Sequence, residues 1–376
     1  MEAAGAAETR HGSGRLRHTW AAQVRHAAWR LRQTGLPENR GGRDDQNEGD
    51  ERPYVSHAVA YTQSLCHDAP VTSRVPVGVA IPQTFRDGSV EPRRIADFLR
   101  RAEALGFHSA WVVEQILGAM ASLEPVDLLA YAAALTERMR LGSAVLLTPL
   151  RNPVHLAKSL ATVDQLSGGR LIVGVGLGGN PRVYPAYGLS AERRTARFEE
   201  GLTLMKRLWT EPRVTMKGEF FSVDNASMQP KPAQKPHPPL WFGGHHPLAL
   251  KRAVAMGDGF IGAGSASTAA FSDEVRQLRT LLADARRDAA TFPIGKRVYI
   301  AVDADRGRAG RRLTEWFGAF YGKPELAEQV CVWGSAAQCA EGLREIVAGG
   351  AQFLMLNPVF DELEHLDRLA ELAPTI

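Results

Sequence analysis

Arg140 to Leu147 reads Arg-Leu-Gly-Ser-Ala-Val-Leu-Leu, a short apolar run with small residues, Gly142, Ser143 and Ala144, at its centre. Val154 to Leu166, behind Asn152-Pro153, carries the apolar spacing of a helix with a proline at its start. Leu171 to Val175 is a second short apolar run. Strand, helix and strand in that order make one βαβ unit, whose two strands lie parallel in a single sheet.

The alternation continues on both sides. Upstream come a β-rich run at Val75 to Ile81, a helix at Glu91 to Leu105, a strand at Ser109 to Glu114 and a helix at Glu124 to Glu137. In the first helix Ile95, Phe98, Leu99, Ala102 and Leu105 share one face, and Gly106 ends it. Downstream, a long helix spans Ala191 to Trp209, and apolar strands fall at Leu240 to Phe242, Gly259 to Ile261, Val298 to Val302 and Phe353 to Leu356. Helices centred near Ala253, Leu278 and Leu343 sit between or before them. Alternation over roughly 300 residues implies an α/β fold of the (β/α)8 barrel type, a TIM barrel with insertions. Gln229 to Pro239, rich in Pro and Lys, is the expected insertion, extended and on the surface.

Composition bounds the function. Of 376 residues, 45 are Lys or Arg and 41 Asp or Glu, too even a balance for a nucleic-acid binder. Cys66, Cys331 and Cys339 form no CxxC pair, so neither a disulfide framework nor a structural zinc site is expected. No run approaches a membrane span, and no apolar secretory segment opens the chain. The expectation is a cytoplasmic protein acting on a small molecule, with no nucleic-acid or membrane partner.

Composition shifts near residue 75, dividing a leader over 1–74 from a barrel domain over 75–376. Asn39 to Arg52 holds no apolar residue, and the leader is expected to be disordered. Leu16, Trp20, Val24, Ala27 and Leu31 could line one face of a basic helix. No Met lies between Met1 and Met120, so a start near Val71 or Val75 would leave such a stretch as a non-native leader.

Gly174-Val175-Gly176-Leu177-Gly178-Gly179 has the form GxGxxG, yet Asn180-Pro181 and Pro185 delay the next helix. A dinucleotide site needs that helix at once. In a barrel the same glycines end a strand at the C-terminal face and expose bare backbone to a flat ring. Gly243-Gly244-His245-His246-Pro247 is a glycine turn opening a helix, a form that offers backbone N–H groups to an anion or serves as a plain tight turn. Neighbouring histidines point apart and no acidic or Cys residue lies near, so no metal is expected there. His155 and His237 read as structural. Glu114 and Gln115 end an apolar strand, where barrel enzymes keep their chemistry.

Leu141 to Pro153, Ala157 to Arg170 and Gly174 to Gly176 together resemble the central signature of luciferase-like monooxygenases, in the branch of F420-dependent class oxidoreductases. Gln234 to Gly244, Gly257 to Gly259 and Gly349-Gly350-Ala351 with Leu356-Asn357-Pro358 extend the resemblance over about residues 75 to 372. It implies a ring cofactor at the barrel mouth, coenzyme F420 with FMN as the alternative, in a homodimer. It implies a non-prolyl cis peptide at Ala144–Val145 against the ring, beside Ser143 and the glycines Gly176, Gly178 and Gly179. It implies the cofactor phosphate at Gly243, Gly244 and His245, and Glu114 as the acidic residue ending strand two. Two positions depart from the family pattern. Gln115 stands where many members have an acid–base histidine, and Gly179 where the sugar-phosphate dehydrogenases have a catalytic glutamate. These departures argue against a sugar-phosphate substrate. They leave Gln115 as the candidate catalytic position and, from a different class, a non-catalytic flavin-binding protein as a rival.

Overall fold

The structure, a computed structural model, describes residues 75–118 and 120–376. The expectations for the leader 1–74 lie outside the described residues.

Eight parallel strands close into a barrel: β1 Val77–Ala80, β2 Ser109–Val112, β3 Arg140–Ser143, β4 Leu171–Gly176, β5 Leu240–Gly243, β6 Gly259–Gly262, β7 Ile294–Val302 and β8 Phe353–Asn357. Each pairs with the next, and β8 pairs with β1. Helices form the outer ring: α1 Pro92–Ala104, α2 Pro125–Leu135, α3 Pro153–Leu166, α4 Arg194–Thr210, α5 Pro247–Met256, α6 Thr268–Asp284, α7 Arg306–Tyr321, α8 Ala336–Ala348 and α9 Glu362–Leu372. Side-chain caps start many of them. Asn152 accepts from the N–H groups of Val154 and His155, and Ser335 forms a reciprocal capping box with Gln338.

Three aromatic rings plug the barrel. Trp111 from β2, Trp241 from β5 and Phe353 from β8 lie with centroids 5.2–5.6 Å apart. Glycines on other strands make room for them. A Cβ on Gly142 would enter the Trp111 ring, and one on Gly295 would come within 2.8 Å of Phe353. The barrel is therefore a packed core below its mouth.

Several boundaries differ from the expectation. Strand three ends at Ser143, and Leu146–Leu147 pairs separately with β4 after the turn of chain at Ala144–Val145. β7 begins at Ile294, four residues before the expected Val298, because Lys296 and Arg297 interrupt the apolar run. The insertion after α4 includes a hairpin, Val214–Lys217 with Ser222–Ala226, that the sequence reading missed. The segment 229–239 is only partly on the surface. Pro238 and Pro239 are buried, and Gln234 is held by Asp164 through its backbone N–H at 2.9 Å and its side chain at 2.7 Å.

Candidate functional site

The C-terminal ends of β3 to β6 form a cavity of about 110 Å³. Ala144 and Val145 wall one side, Gly243 and Gly244 another, and Ile261 to Ser265 the third. The Ala144–Val145 peptide is cis, at the position the resemblance implied. Gly176 and Gly243 both face Val145, for a Cβ on either would lie 2.7–2.8 Å from its methyl groups. The walls are thus mostly backbone and small side chains, a surface that a flat ring can approach closely.

The structure brings together four of the expected cofactor residues, Ala144, Val145, Gly243 and Gly244, with Gly176 adjoining. Gly244 has φ +138, a backbone region that favours glycine. His245 is exposed beside it, at the start of α5. His246 caps that helix by accepting from Leu248 N–H.

Other expected residues sit apart from the cavity lining. Ser143 is 1% exposed and serves strand pairing, its Oγ donating to Gly174 O and accepting from Gly174 N–H. Gly178 packs on Leu147, and Gly179 is exposed with open space around it. The Glu114 carboxylate is fully buried. It accepts from Leu147 N–H and from Arg151 at 2.8 and 3.1 Å, and Arg151 also pairs with Glu124. Burial pushes the Glu114 carboxyl up, while Arg151 and the Leu147 N–H pull it back. Gln115 is half-buried, folded over Gly118, and its Oε1 is buried without a hydrogen-bond donor among the described residues.

The family model of the luciferase-like monooxygenases matches residues 75–352. The chain belongs to that family. Among luciferase-like relatives it is similar to the F420-dependent glucose-6-phosphate dehydrogenase of Intrasporangium calvum, 33% identical over 200 residues, 49% of this chain and 58% of that protein. The match thus spans little more than half the length of that relative. An F420-dependent secondary alcohol dehydrogenase in complex with an F420-acetone adduct has the same luciferase-like fold, with TM-score 0.71 and 21% identity, covering 81% of this chain and 99% of that one. The monooxygenase RslO1 from Streptomyces bottropensis has it too, with TM-score 0.69 and 24% identity, covering 78% and 97%. At these identities the likeness is one of fold.

Within this luciferase-like barrel, the sequence reading missed the side of the mouth built by β7, β8 and α7. Arg297 lines the cavity, donates from Nε to Asn357 Oδ1 at 2.8 Å and lies 4.6 Å over the Tyr299 ring. Tyr321 lines the cavity as well, with its hydroxyl 2.7 Å from that of Tyr299. Leu356-Asn357-Pro358 was visible as a block, but nothing in one sequence ties Asn357 to Arg297. A larger recess of about 300 Å³ opens beside the mouth over the ends of β1 and β8. Charged side chains rim it, among them the Arg94–Glu362 pair at 2.7 Å. It lacks the bare-backbone wall, so the smaller cavity is the better seat for a ring. Among the described residues no helix is long and apolar enough to cross a membrane.

Proposed function

We propose that the chain is an oxidoreductase that moves a hydride between coenzyme F420 and a small organic substrate, acting in the cytoplasm as a homodimer. The observation that carries the reading is the cavity at the barrel mouth, walled by Ala144, Val145, Gly243, Gly244 and Gly262. A floor of backbone and small side chains suits a planar tricyclic ring. The name of the Intrasporangium calvum relative favours F420 over FMN.

When bound, F420 supplies a ring carbon that exchanges hydride and does not readily activate oxygen. The chain's residues would hold and orient. The amides of Gly244 and His245, ahead of α5, would take the cofactor phosphate, since His246 already occupies Leu248 N–H. Val145 would set how near the ring comes to Gly176 and Gly243. Gln115 would orient substrate or cofactor through an amide that does not titrate near neutrality.

Absorbance titration with F420 and with FMN, followed by turnover with and without oxygen, tests the proposal. The expected result is tighter F420 binding and oxygen-independent turnover. Tighter FMN binding with an oxygen requirement would support FMN-dependent monooxygenation, the reading that the family's name favours. Binding with no hydride transfer to any acceptor would support the non-catalytic reading. Gly244→Ala should weaken F420 binding about tenfold, or about 1.4 kcal/mol. Unchanged binding in that variant would put the phosphate elsewhere.

A further inference from the structure

Arg297 lies where two recesses of the mouth meet. One is the cavity beside Ala144 and Val145. The other is a crevice of about 20 Å³, room for a water only, lined among others by Ile81, Gln83, Thr84, Val113 and Asn357. Among the described residues Arg297 is the one charged side chain lining either of them. Its Nε is held by Asn357 and its plane lies over Tyr299, so the fork is fixed. Among the described residues no carboxylate forms an ion pair with it.

A half-buried guanidinium with no carboxylate partner among the described residues gains from an anion that accepts two parallel N–H bonds. Trp316 and Phe320 stack on each other, centroids 4.5 Å apart and planes 13° apart, and Trp316 is 3% exposed, so this pair packs the corner behind Arg297. We infer that Arg297 is the substrate-orienting residue, binding the carboxylate of a small organic acid at the edge of the cavity. The inference rests on the reading that the neighbouring cavity takes the F420 ring. It deepens that reading by naming the substrate class, an organic carboxylate.

The test uses benzoate as the probe and benzamide as its neutral counterpart. Binding to the full chain is followed by calorimetry, with F420 titrated separately. Wild type should bind benzoate at least about tenfold more tightly than benzamide. Arg297→Met should abolish that preference and Arg297→Lys retain part of it, with F420 affinity and thermal unfolding read separately for each variant. Equal binding of the two probes by wild type, no measurable benzoate binding, or an unchanged preference in Arg297→Met would each overturn the inference. If Arg297→Met loses F420 and keeps its benzoate preference, Arg297 serves the cofactor and the inference falls while the cofactor reading stands. If wild type ignores F420 yet discriminates benzoate through Arg297, the cofactor reading falls and the anion site stands.

Discussion

The mouth of the barrel is made in two ways. Around the ends of β3 to β6 it is made of backbone: Ala144–Val145, Gly243-Gly244 and the stretch from Gly262 to Ser265 leave almost no side chain in the cavity. Around β7, β8 and α7 it is made of side chains: Arg297, Asn357, Tyr321, Trp316 and Phe320. A backbone surface suits a ligand that is the same in every turnover. A side-chain surface can be changed residue by residue, so it suits the variable partner, the substrate. Between the two stand Glu114 and Gln115, adjacent in sequence and unlike in placement. The Glu114 carboxylate is buried in a pair with Arg151, while Gln115 keeps a buried oxygen without a donor.

The largest effect should come from Glu114. If it is a structural tie between the end of β2 and the chain after Ala144–Val145, Glu114→Ala leaves Arg151 with Glu124 alone and strands Leu147 N–H. Breaking a buried pair from one side costs about 3–5 kcal/mol. Urea unfolding of wild type and variant measures this. A loss under about 1 kcal/mol, with F420 binding impaired, would move Glu114 to the ligand side of the comparison.

That division also governs what a single sequence discloses. The backbone half was legible because close approach demands particular letters: Gly142-Ser143-Ala144 and Gly243-Gly244 stand out in apolar runs. All eight strands could be placed for a related reason, since each is an apolar run bounded by turns. Ser143 shows the limit. A small polar residue in a strand fits a ring contact as well as a pairing bond, and its Oγ is spent on Gly174. The side-chain half was illegible. Lys296-Arg297 breaks the apolar run of β7 and conceals the first four of its nine residues. Trp316, Phe320 and Tyr321 reach the mouth from a helix whose spacing reads only as amphipathic. Other letters of the resemblance work far from the mouth. Arg170 donates to the backbone of Met139, Thr136 and Ala133 at the opposite end of the barrel.

A middle-sized effect is expected at Gln115. Its amide can supply one orienting hydrogen bond, so Gln115→Ala should lower turnover about tenfold to a hundredfold, or about 1.4–2.7 kcal/mol. With F420 as cofactor, kcat and kcat/KM should fall together, and the rate profile should hold no pKa near about 6–7 traceable to this position. Wild-type rates in the variant would place Gln115 outside the site. A loss of about four orders of magnitude with the fold intact would give it more than an orienting role.

The smallest effect concerns the support beneath the backbone half. Lys296, next to Arg297, is 2% exposed, its Nζ donating to Ala263 O and Ala266 O in the loop that borders the cavity. Glu274 of α6 is 4% exposed, and its Oε2 has no hydrogen-bond partner among the described residues. Burial raises the Glu274 carboxyl to about 7, with Lys296 opposing, and burial lowers Lys296 to about 8. The folded chain therefore keeps the Glu274 proton at pH values where the unfolded chain has released it. Between about pH 4.5 and 7 the folded state binds more protons, so this group's contribution to stability falls as pH rises. Lys296 acts at higher pH: from about 8 upward the folded state releases its proton first, and stability rises as the unfolded lysine follows near 10.5. Glu274→Gln removes the first of these and, by taking away the carboxylate that supports the Lys296 charge, leaves the second in place with Lys296 lowered further. The stability of wild type relative to Glu274→Gln should drop by on the order of 1 kcal/mol between about pH 4.5 and 7, read from urea unfolding at each pH. A flat difference across that window would mean that the carboxyl titrates normally. The loop behind Ala263 and Ala266 would then rest on packing and on Lys296 alone, and the backbone half of the mouth would owe nothing to buried charge on α6.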